Sequence, residues 1–349
     1  MLKIAFILPG TTLSGGVKVV LELCNVLAKF PGIKPYLFTP HKSLNWFSDP
    51  ILFPIIQKEY HQLNLEEFGV VITTFFNQRE IFYKWQGKKF FHLCQGYEGD
   101  YLKEMNKEEL KDEILEFYNL SYPKLTVNNF LKERLKKITK ANVYTVGMGI
   151  NRSIFSPSTS SKKNMVLIVG PSELEFKGVK NSLKLAALLK KDFPYLKITR
   201  ISPVDTYNLE KESFPIDNFL TSISPHKMGE FYRKALLSIY LPSKEGFGLP
   251  VLESVSCKTP VLASNIPPFK EMFSKTNYPL FVPGDIANAF YFAKRLIKDK
   301  AYYKYIAQQG LKISKRYSYV KMATKFLFFC GWESLFHKGG DKSPQVRAP

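Results

Sequence analysis

Ser243-Lys244-Glu245-Gly246-Phe247-Gly248-Leu249-Pro250-Val251-Leu252-Glu253 is the stretch of sequence that decides the fold. An apolar run of strand length, 236–241, precedes it. Two glycines then occupy a loop, and Pro250 suits the first turn of a helix, where its missing N–H would have no intrahelical partner. We therefore predict a buried strand, a glycine loop and a helix N-terminus, in that order.

This arrangement is suited to binding an anion. The first N–H groups of a helix have no intrahelical partner, and the helix dipole is positive at this end. Gly246 and Gly248 have no Cβ, so the backbone can approach a ligand closely. Glu245 and Glu253 bracket the loop, and a carboxylate can accept both protons of a cis-diol such as ribose. The pattern predicts a site for a phosphorylated, hydroxyl-rich ligand; for either glutamate alone, a solvated side chain is the alternative.

The spacing of Glu245 and Glu253 resembles the E-x7-E signature of retaining glycosyltransferases with the GT-B fold, above all glycosyltransferase family 4. The run 241–253 is similar to that family's P-S-x-x-E-G-F-G-L-P-x-L-E, and 259–264 is similar to its G-x-P-V-V-A-S, with Lys258 where glycine is usual. The resemblance implies an α/β protein of the GT-B fold, with two Rossmann-like, doubly wound parallel-sheet domains facing a cleft.

The resemblance also implies which residues bind a nucleoside-diphosphate sugar. The expected donor-binding residues are Gly15, Gly16, Lys177, Gly246, Phe247, Gly248, Leu249 and Glu253. Lys177 and the amides of Gly248 and Leu249 are expected to hold the diphosphate, and Glu253 the ribose. Glu245, with the backbone of Gly246 and Phe247, is expected to contact the sugar and is the first of two candidate catalytic residues.

Two further segments carry the resemblance outside the opening motif. Residues 14–17 look like the family's G-G-V loop, between an apolar run and an amphipathic helix. Gln95 ends the apolar run 90–94 at a position where the family often has a histidine facing the donor sugar. Gln95 is therefore the second candidate catalytic residue. His92, inside the same run, is expected to pack in the core.

The segment 170–178 resembles the family's G-R-x-x-x-x-K-G, in which arginine and lysine hold the donor diphosphate. Lys177 and Gly178 match this pattern, but Pro171 or Ser172 stands where the arginine is expected. One of the two phosphate cations is therefore missing.

The chain is predicted to divide into two domains and a C-terminal extension. A Rossmann-like acceptor-side domain is expected over 1–157 and a nucleotide-sugar domain over 164–315. A helix over 316–338 is expected to cross back to the first domain, and 339–349 is expected to be a disordered tail. The polar, Ser/Pro-containing run 156–163 is the expected linker.

Composition narrows the class of protein. The 349 residues have a net charge of +20, of which +4 lies in 1–150 and +16 in 151–349. A basic surface attracts anionic ligands and membranes, although solvated lysines are an equal alternative. We recognise no nucleic-acid-binding module, so no nucleic-acid partner is expected. Four scattered cysteines without a C-x-x-C pair favour free thiols over a metal site or disulfides.

The start of the chain, 1–10, reads as a strand rather than a signal peptide, and no apolar run approaches the ~20 residues of a membrane span. These features predict a cytoplasmic protein, with peripheral contact to an anionic membrane at its inner face as an addition. Buried thiols also suit a reducing compartment.

The expected function is that of a retaining glycosyltransferase. It would move a sugar from a nucleoside-diphosphate sugar to a hydroxyl of a sugar, lipid-linked or other acceptor, in cell-surface polysaccharide or glycolipid assembly. No cofactor is expected, and no metal, because the sequence contains no D-x-D motif. The alternatives are a nucleotide-sugar epimerase on the same fold and a non-catalytic protein that binds sugar or nucleic acid.

Overall fold

The computed structural model describes residues 1–85, 87–159 and 161–331. Within them the protein is α/β, with two separate parallel sheets that are flanked by helices. The first half of the chain forms one sheet and the second half forms the other, so the predicted fold class is confirmed.

The first sheet contains seven strands in the described residues. They are β1 Leu2–Ile7, β2 Ile33–Thr39, β3 Ile55–Gln57, β4 Val70–Thr73, β5 Lys89–Cys94, β6 Lys124–Thr126 and β7 Val143–Thr145. Their spatial order is β3-β2-β1-β4-β5-β6-β7. The α-helices of this half are α1 Gly15–Leu27, α2 Arg79–Lys84, α3 Lys111–Asn119 and α4 Asn129–Lys136.

The second sheet is smaller, with five strands in the described residues. They are β8 Met165–Val169, β9 Lys197–Ser202, β10 Asn218–Thr221, β11 Leu237–Tyr240 and β12 Val261–Ala263. Their spatial order is β10-β9-β8-β11-β12. The helices that follow β8 are α5 Val179–Asp192, α6 Tyr207–Lys211, α7 Pro225–Lys234, α8 Leu249–Ser256, α9 Pro267–Met272, α10 Ile286–Lys298, α11 Lys300–Ser314 and α12 Tyr319–Phe329.

Continuous apolar strands explain why both sheets are parallel and covered by helices. In β8 the side chains of Val166, Leu167 and Ile168 are at most 1% exposed, although successive side chains of a strand point to opposite faces. A strand buried on both faces needs helices on both sides, and parallel crossovers through helices provide them. The core of each half therefore lies between its sheet and two layers of helices.

The topology creates one crevice in each sheet. The chain leaves β1 toward β2 and later returns to β4 on its other side; β8, β9 and β11 repeat this pattern. Where the strand order reverses, the loops at the carboxyl ends of the two neighbouring strands diverge and leave room for a ligand. In the second sheet these loops are 170–178 and 241–248, so the topology places Lys177 beside the glycine loop.

Helix α12 packs against the first half of the chain, although it follows the second. The ring of Phe326 stacks on Phe6 of β1, with centroids 5.5 Å apart, and Phe329 stacks on Tyr144 of β7 at 4.5 Å. The remainder of the predicted crossing segment, 332–338, and the predicted tail, 339–349, lie outside the described residues. Among the helices that are described, none combines the length and the apolar character needed to cross a bilayer.

Candidate active site between the two sheets

A cavity of about 450 Å³ lies between the two halves, where both crevices open. Eight of the ten predicted site residues line it: Gly15, Gly16, Gln95, Lys177, Glu245, Phe247, Gly248 and Leu249. The other two do not. Gly246 borders a smaller cavity of about 180 Å³, and Glu253 lies one turn farther along α8, where it is 4% exposed.

The glycine loop presents free backbone donors to this cavity. Gly248 is the N-cap of α8 and has φ of 92°, in the left-handed region that favours glycine. A Cβ at this position would lie 2.2 Å from the ring of Phe269. In the described part of the chain, the N–H groups of Phe247, Gly248 and Leu249 have no hydrogen-bond partner. They are therefore available to an anion.

A second helix N-terminus faces the same cavity from the first half of the chain. Helix α1 begins at Gly15, and its N-cap Ser14 accepts a hydrogen bond from the N–H of Val17 at 3.1 Å. No acidic side chain lies in the first turn of α1 or of α8. The positive ends of two helix dipoles therefore point toward one space, which favours an anionic ligand.

Lys177 and Glu245 form an ion pair on the cavity wall. Lys177 Nζ lies 2.7 Å from Glu245 Oε2, and the hydroxyl of Tyr240 donates to the same oxygen at 2.8 Å. Burial, and then the nearby Glu245 carboxylate, raise the pKa of Tyr240, so its hydroxyl remains a donor. Two donors thus fix the Glu245 carboxylate, and the two loops of the second switch point are joined.

Glu253 is paired with a lysine from the other half of the chain. Its Oε1 forms an ion pair with Lys18 Nζ on α1, and the two side chains are only 5% and 14% exposed. The ammonium group of Lys18 also lies 4.9 Å from the ring centroid of Phe155. Each glutamate of the bracketing pair is therefore matched by one lysine.

The loop contacts the first half of the chain through its backbone. Gln95 Nε2 donates to the carbonyl of Gly16 at 3.0 Å, which places the Gln95 side chain at the cavity. The carbonyl of Gly246 accepts a hydrogen bond from Asn128 Nδ2 at 2.7 Å. Asn128 was not among the site residues predicted from the sequence. Its position two residues after β6, at the carboxyl end of that strand, is the signal that could have identified it.

Glu271 reinforces this contact between the halves. Its carboxylate accepts hydrogen bonds from the N–H groups of Asn129 and Phe130, at 2.9 and 2.7 Å, at the start of α4. A carboxylate at a helix N-terminus interacts favourably with the helix dipole. Glu271 therefore has a structural role at the interface.

The far end of the cavity is apolar and was also missed. It is lined by Ile201, Ser202, Pro203, Ser222, Ile223 and Met228. These residues end or follow β9, follow β10, or lie on α7. Residues at the ends of strands commonly contact ligands in doubly wound sheets. The residue types at these positions do not indicate a particular function, so the sequence offered no reason to select them.

Two titratable groups near Gln95 differ in their environment. His92 is buried, with Nδ1 3.0 Å from Thr73 Oγ1, and burial holds its pKa well below the usual value, so it is a neutral core residue as predicted. Burial raises the pKa of Glu98 to about 7, although the hydroxyl of Tyr118 donates to it at 2.6 Å. Glu98 lies in the loop that follows Gln95.

None of the four cysteines, all of which the structure describes, lines the cavity. Cys24, Cys94, Cys257 and Cys330 are buried free thiols, in agreement with the sequence interpretation. No group of three or more His, Cys, Asp or Glu side chains in residues 1–85, 87–159 and 161–331 is arranged to hold a metal ion.

In a comparison with known proteins, a family model matches most of the second half of the chain. Residues 150–312 match the family model described as Glycosyl transferases group 1. The O-antigen chain mannosyltransferase RfbU of Salmonella typhimurium is 26% identical over 171 residues, which are 46% of this chain and 46% of that protein. The serotype-specific mannosyltransferase WbdA of Escherichia coli is 24% identical over 148 residues, 40% of this chain and 18% of that protein. The chain thus spans less than half the length of these relatives.

Solved structures extend the similarity to nearly the whole chain. Sucrose-phosphate synthase from Thermosynechococcus elongatus has a TM-score of 0.76 at 15% identity, covering 97% of this chain and 100% of that one. HepE of Anabaena, in complex with UDP-glucose, has a TM-score of 0.76 at 11% identity, covering 95% and 100%. At these identities the similarity concerns the fold, which is GT-B as predicted.

Proposed function

We propose that this protein is a retaining glycosyltransferase that transfers a sugar from a nucleoside-diphosphate sugar to an acceptor hydroxyl. The observation that carries the proposal is the convergence of free amides and Lys177 on one cavity. The N–H groups of Phe247, Gly248 and Leu249 and the ammonium group of Lys177 come from the two loops of a topological switch point. Such a set of donors suits a diphosphate.

The same donors would assist the chemistry. When the sugar leaves, negative charge grows on the diphosphate, so donors aimed there stabilise the transition state more than the ground state. Gln95 and Glu245 line the same cavity from opposite halves. We assign them to the transferred sugar, between the diphosphate site and the first half of the chain. The enclosing halves would also exclude water, which would otherwise hydrolyse the donor.

The nature of the substrates is drawn from the named relatives. RfbU and WbdA are mannosyltransferases of O-antigen chain or serotype-specific type, and HepE binds UDP-glucose. We propose a hexose donor, with mannose first among the candidates, and an acceptor of sugar or lipid-linked type in cell-surface polysaccharide or glycolipid assembly. A cytoplasmic location, with peripheral contact to anionic lipid, belongs to the same proposal.

The experiment is a transfer assay with a panel of nucleotide sugars. The full chain is incubated with UDP- and GDP-linked mannose, glucose and their epimers, together with hydroxyl acceptors, in the presence of a chelator. We expect release of nucleoside diphosphate, a glycosylated product with the donor's anomeric configuration by NMR, and full activity with the chelator. Restoration of activity only by added Mn²⁺ would contradict the metal-independent mechanism.

Two other outcomes would support one of the alternative functions instead. Interconversion of the donor sugar without transfer would favour a nucleotide-sugar epimerase. Binding of sugars or RNA, with no binding of any nucleoside diphosphate by calorimetry, would favour a non-catalytic protein. Binding that weakens steeply with salt would identify the RNA case.

A further inference from the structure

The ion pair of Lys18 and Glu253 joins the two halves of the protein beside the candidate site. Lys18 lies on α1 and Glu253 on α8, and both side chains are largely withdrawn from solvent. A buried charge that loses its partner is strongly destabilised. We therefore expect the ion pair to separate only when other polar groups replace each partner.

A ligand that binds Glu253 through a cis-diol would require such an exchange. A cis-diol bound by a carboxylate places one hydroxyl on each oxygen, and Lys18 already donates to Oε1. Glu253 also does not contribute to the cavity wall, although Leu249 and Pro250, one turn earlier, do. A diol that reaches Glu253 from the cavity therefore competes with the Lys18 ammonium group for the carboxylate.

The side chains described along the cavity wall leave the charge of a bound diphosphate unbalanced. Its wall, as far as the structure describes it, contains one cationic side chain, Lys177, and one carboxylate, Glu245, and these two neutralise each other. A nucleoside diphosphate brings more than one negative charge. Backbone amides supply partial charges, but they do not balance a full one. A second ammonium group is the missing element.

Lys18 is positioned to supply it. It follows Gly16, which lines the cavity, by two residues, or ~3 Å along the helix axis. The Cα–Cβ bonds of a helix tilt toward its N-terminus, so the side chain of Lys18 is inclined toward the end of α1 that borders the cavity. Rotation of its flexible stem is enough to redirect the ammonium group.

We propose that Lys18 is a donor-binding residue that changes partner. In the free protein it neutralises Glu253; when a nucleoside diphosphate binds, the ribose hydroxyls replace it at Glu253 and its ammonium group moves to the diphosphate. This proposal rests on the proposed function, because it assumes a nucleoside-diphosphate ligand. It adds a cation from the first half of the chain to a site otherwise built on the second half.

The experiment compares binding of a nucleoside diphosphate and its nucleoside by calorimetry. The ligand pair is uridine or guanosine, with and without the diphosphate, chosen by what the wild-type protein binds. The variants are Lys18→Met, Lys18→Gln and Lys18→Arg, with Lys29→Met as control, since Lys29 is exposed just beyond the end of α1. Lys18→Gln can still donate a hydrogen bond to Glu253 but has no charge.

We expect Lys18→Met and Lys18→Gln to weaken diphosphate binding about ten- to a hundredfold, the effect of one lost charge-assisted hydrogen bond. Nucleoside binding should be unchanged or tighter, because a competitor for Glu253 is removed. Lys18→Arg and Lys29→Met should bind both ligands like the wild type. Thermal unfolding shows whether each variant is folded. If Lys18→Met does not fold, Lys18→Gln alone tests the proposal.

An equal loss for nucleoside and diphosphate would overturn the proposal and make Lys18 a residue that only positions Glu253. Unchanged diphosphate binding would overturn it as well. A wild-type protein that binds no nucleoside diphosphate would instead refute the proposed function, so the two failures are distinguishable.

Discussion

Gly246→Ala is the substitution whose effect follows most directly from the structure. A Cβ at Gly246 would lie 2.1 Å from the carbonyl oxygen of Gln95, where contacts under 3.0 Å are essentially never observed. Both sides of this contact are backbone, so no side-chain rotation can relieve it. The two halves must separate by about 1 Å, judged from ordinary contact distances.

The separation would break hydrogen bonds that join the two halves of the protein. The bond from Asn128 Nδ2 to the Gly246 carbonyl, 2.7 Å long, would exceed hydrogen-bond range. Gln95 would move away from Glu245 by a similar amount. A misplacement of ~1 Å in an active site can cost about a hundredfold in rate, so we expect kcat/KM to fall about a hundredfold, with a smaller loss in nucleotide affinity.

Two measurements check this prediction. The first is the transfer assay, with the donor that the panel of nucleotide sugars identifies. The second, which does not need the substrate, is hydrogen exchange at the amides of Asn129 and Phe130, which donate to Glu271 across the interface and should exchange faster when the halves separate. Gly10→Ala is the matched control, because its Cβ would meet only His41 at 3.8 Å. The reasoning would be refuted if, in Gly246→Ala, these two amides exchanged at the wild-type rate and the activity stayed within about threefold of the wild type.

The remaining predictions concern charge. Lys177→Met should weaken nucleoside-diphosphate binding about ten- to a hundredfold by calorimetry, whereas Lys191→Met, at an exposed position, should not; equal affinities would remove Lys177 from the site. Because the pKa of Glu98 is raised to about 7 in the folded protein, its contribution to the free energy of unfolding is present at low pH and is lost as pH rises through 7. Glu98→Gln should flatten this dependence by up to ~1.4 kcal/mol per pH unit in denaturant titrations, and an unchanged slope would contradict it. Arg200→Met leaves Glu210 without its fully buried partner, so the free energy of unfolding should fall by ~3–5 kcal/mol and recover in the double variant with Glu210→Leu; a loss below ~1 kcal/mol would contradict a buried pair.

The local elements around the site follow from the sequence because local chemistry specifies them. An apolar run, two glycines and Pro250 specify a strand, a loop and a helix start without any distant residue. The same is true of the start of α1 after Ser14. The reversal of strand order then brings Lys177 to Glu245, so eight predicted residues line one cavity even though they come from four separate segments.

What the sequence could not specify depends on how the two halves dock. Lys18 has no local feature that distinguishes it from other lysines, yet docking of α1 against α8 pairs it with Glu253. The bond from Asn128 to Gly246 and the close approach of Gly246 to Gln95 arise in the same way. Periodicity and turn chemistry act over a few residues along one element, whereas these contacts join residues more than a hundred positions apart. The sequence by itself therefore determined the fold and eight of the residues that line the cavity, and only the tertiary structure decided which charges are already paired when a ligand arrives.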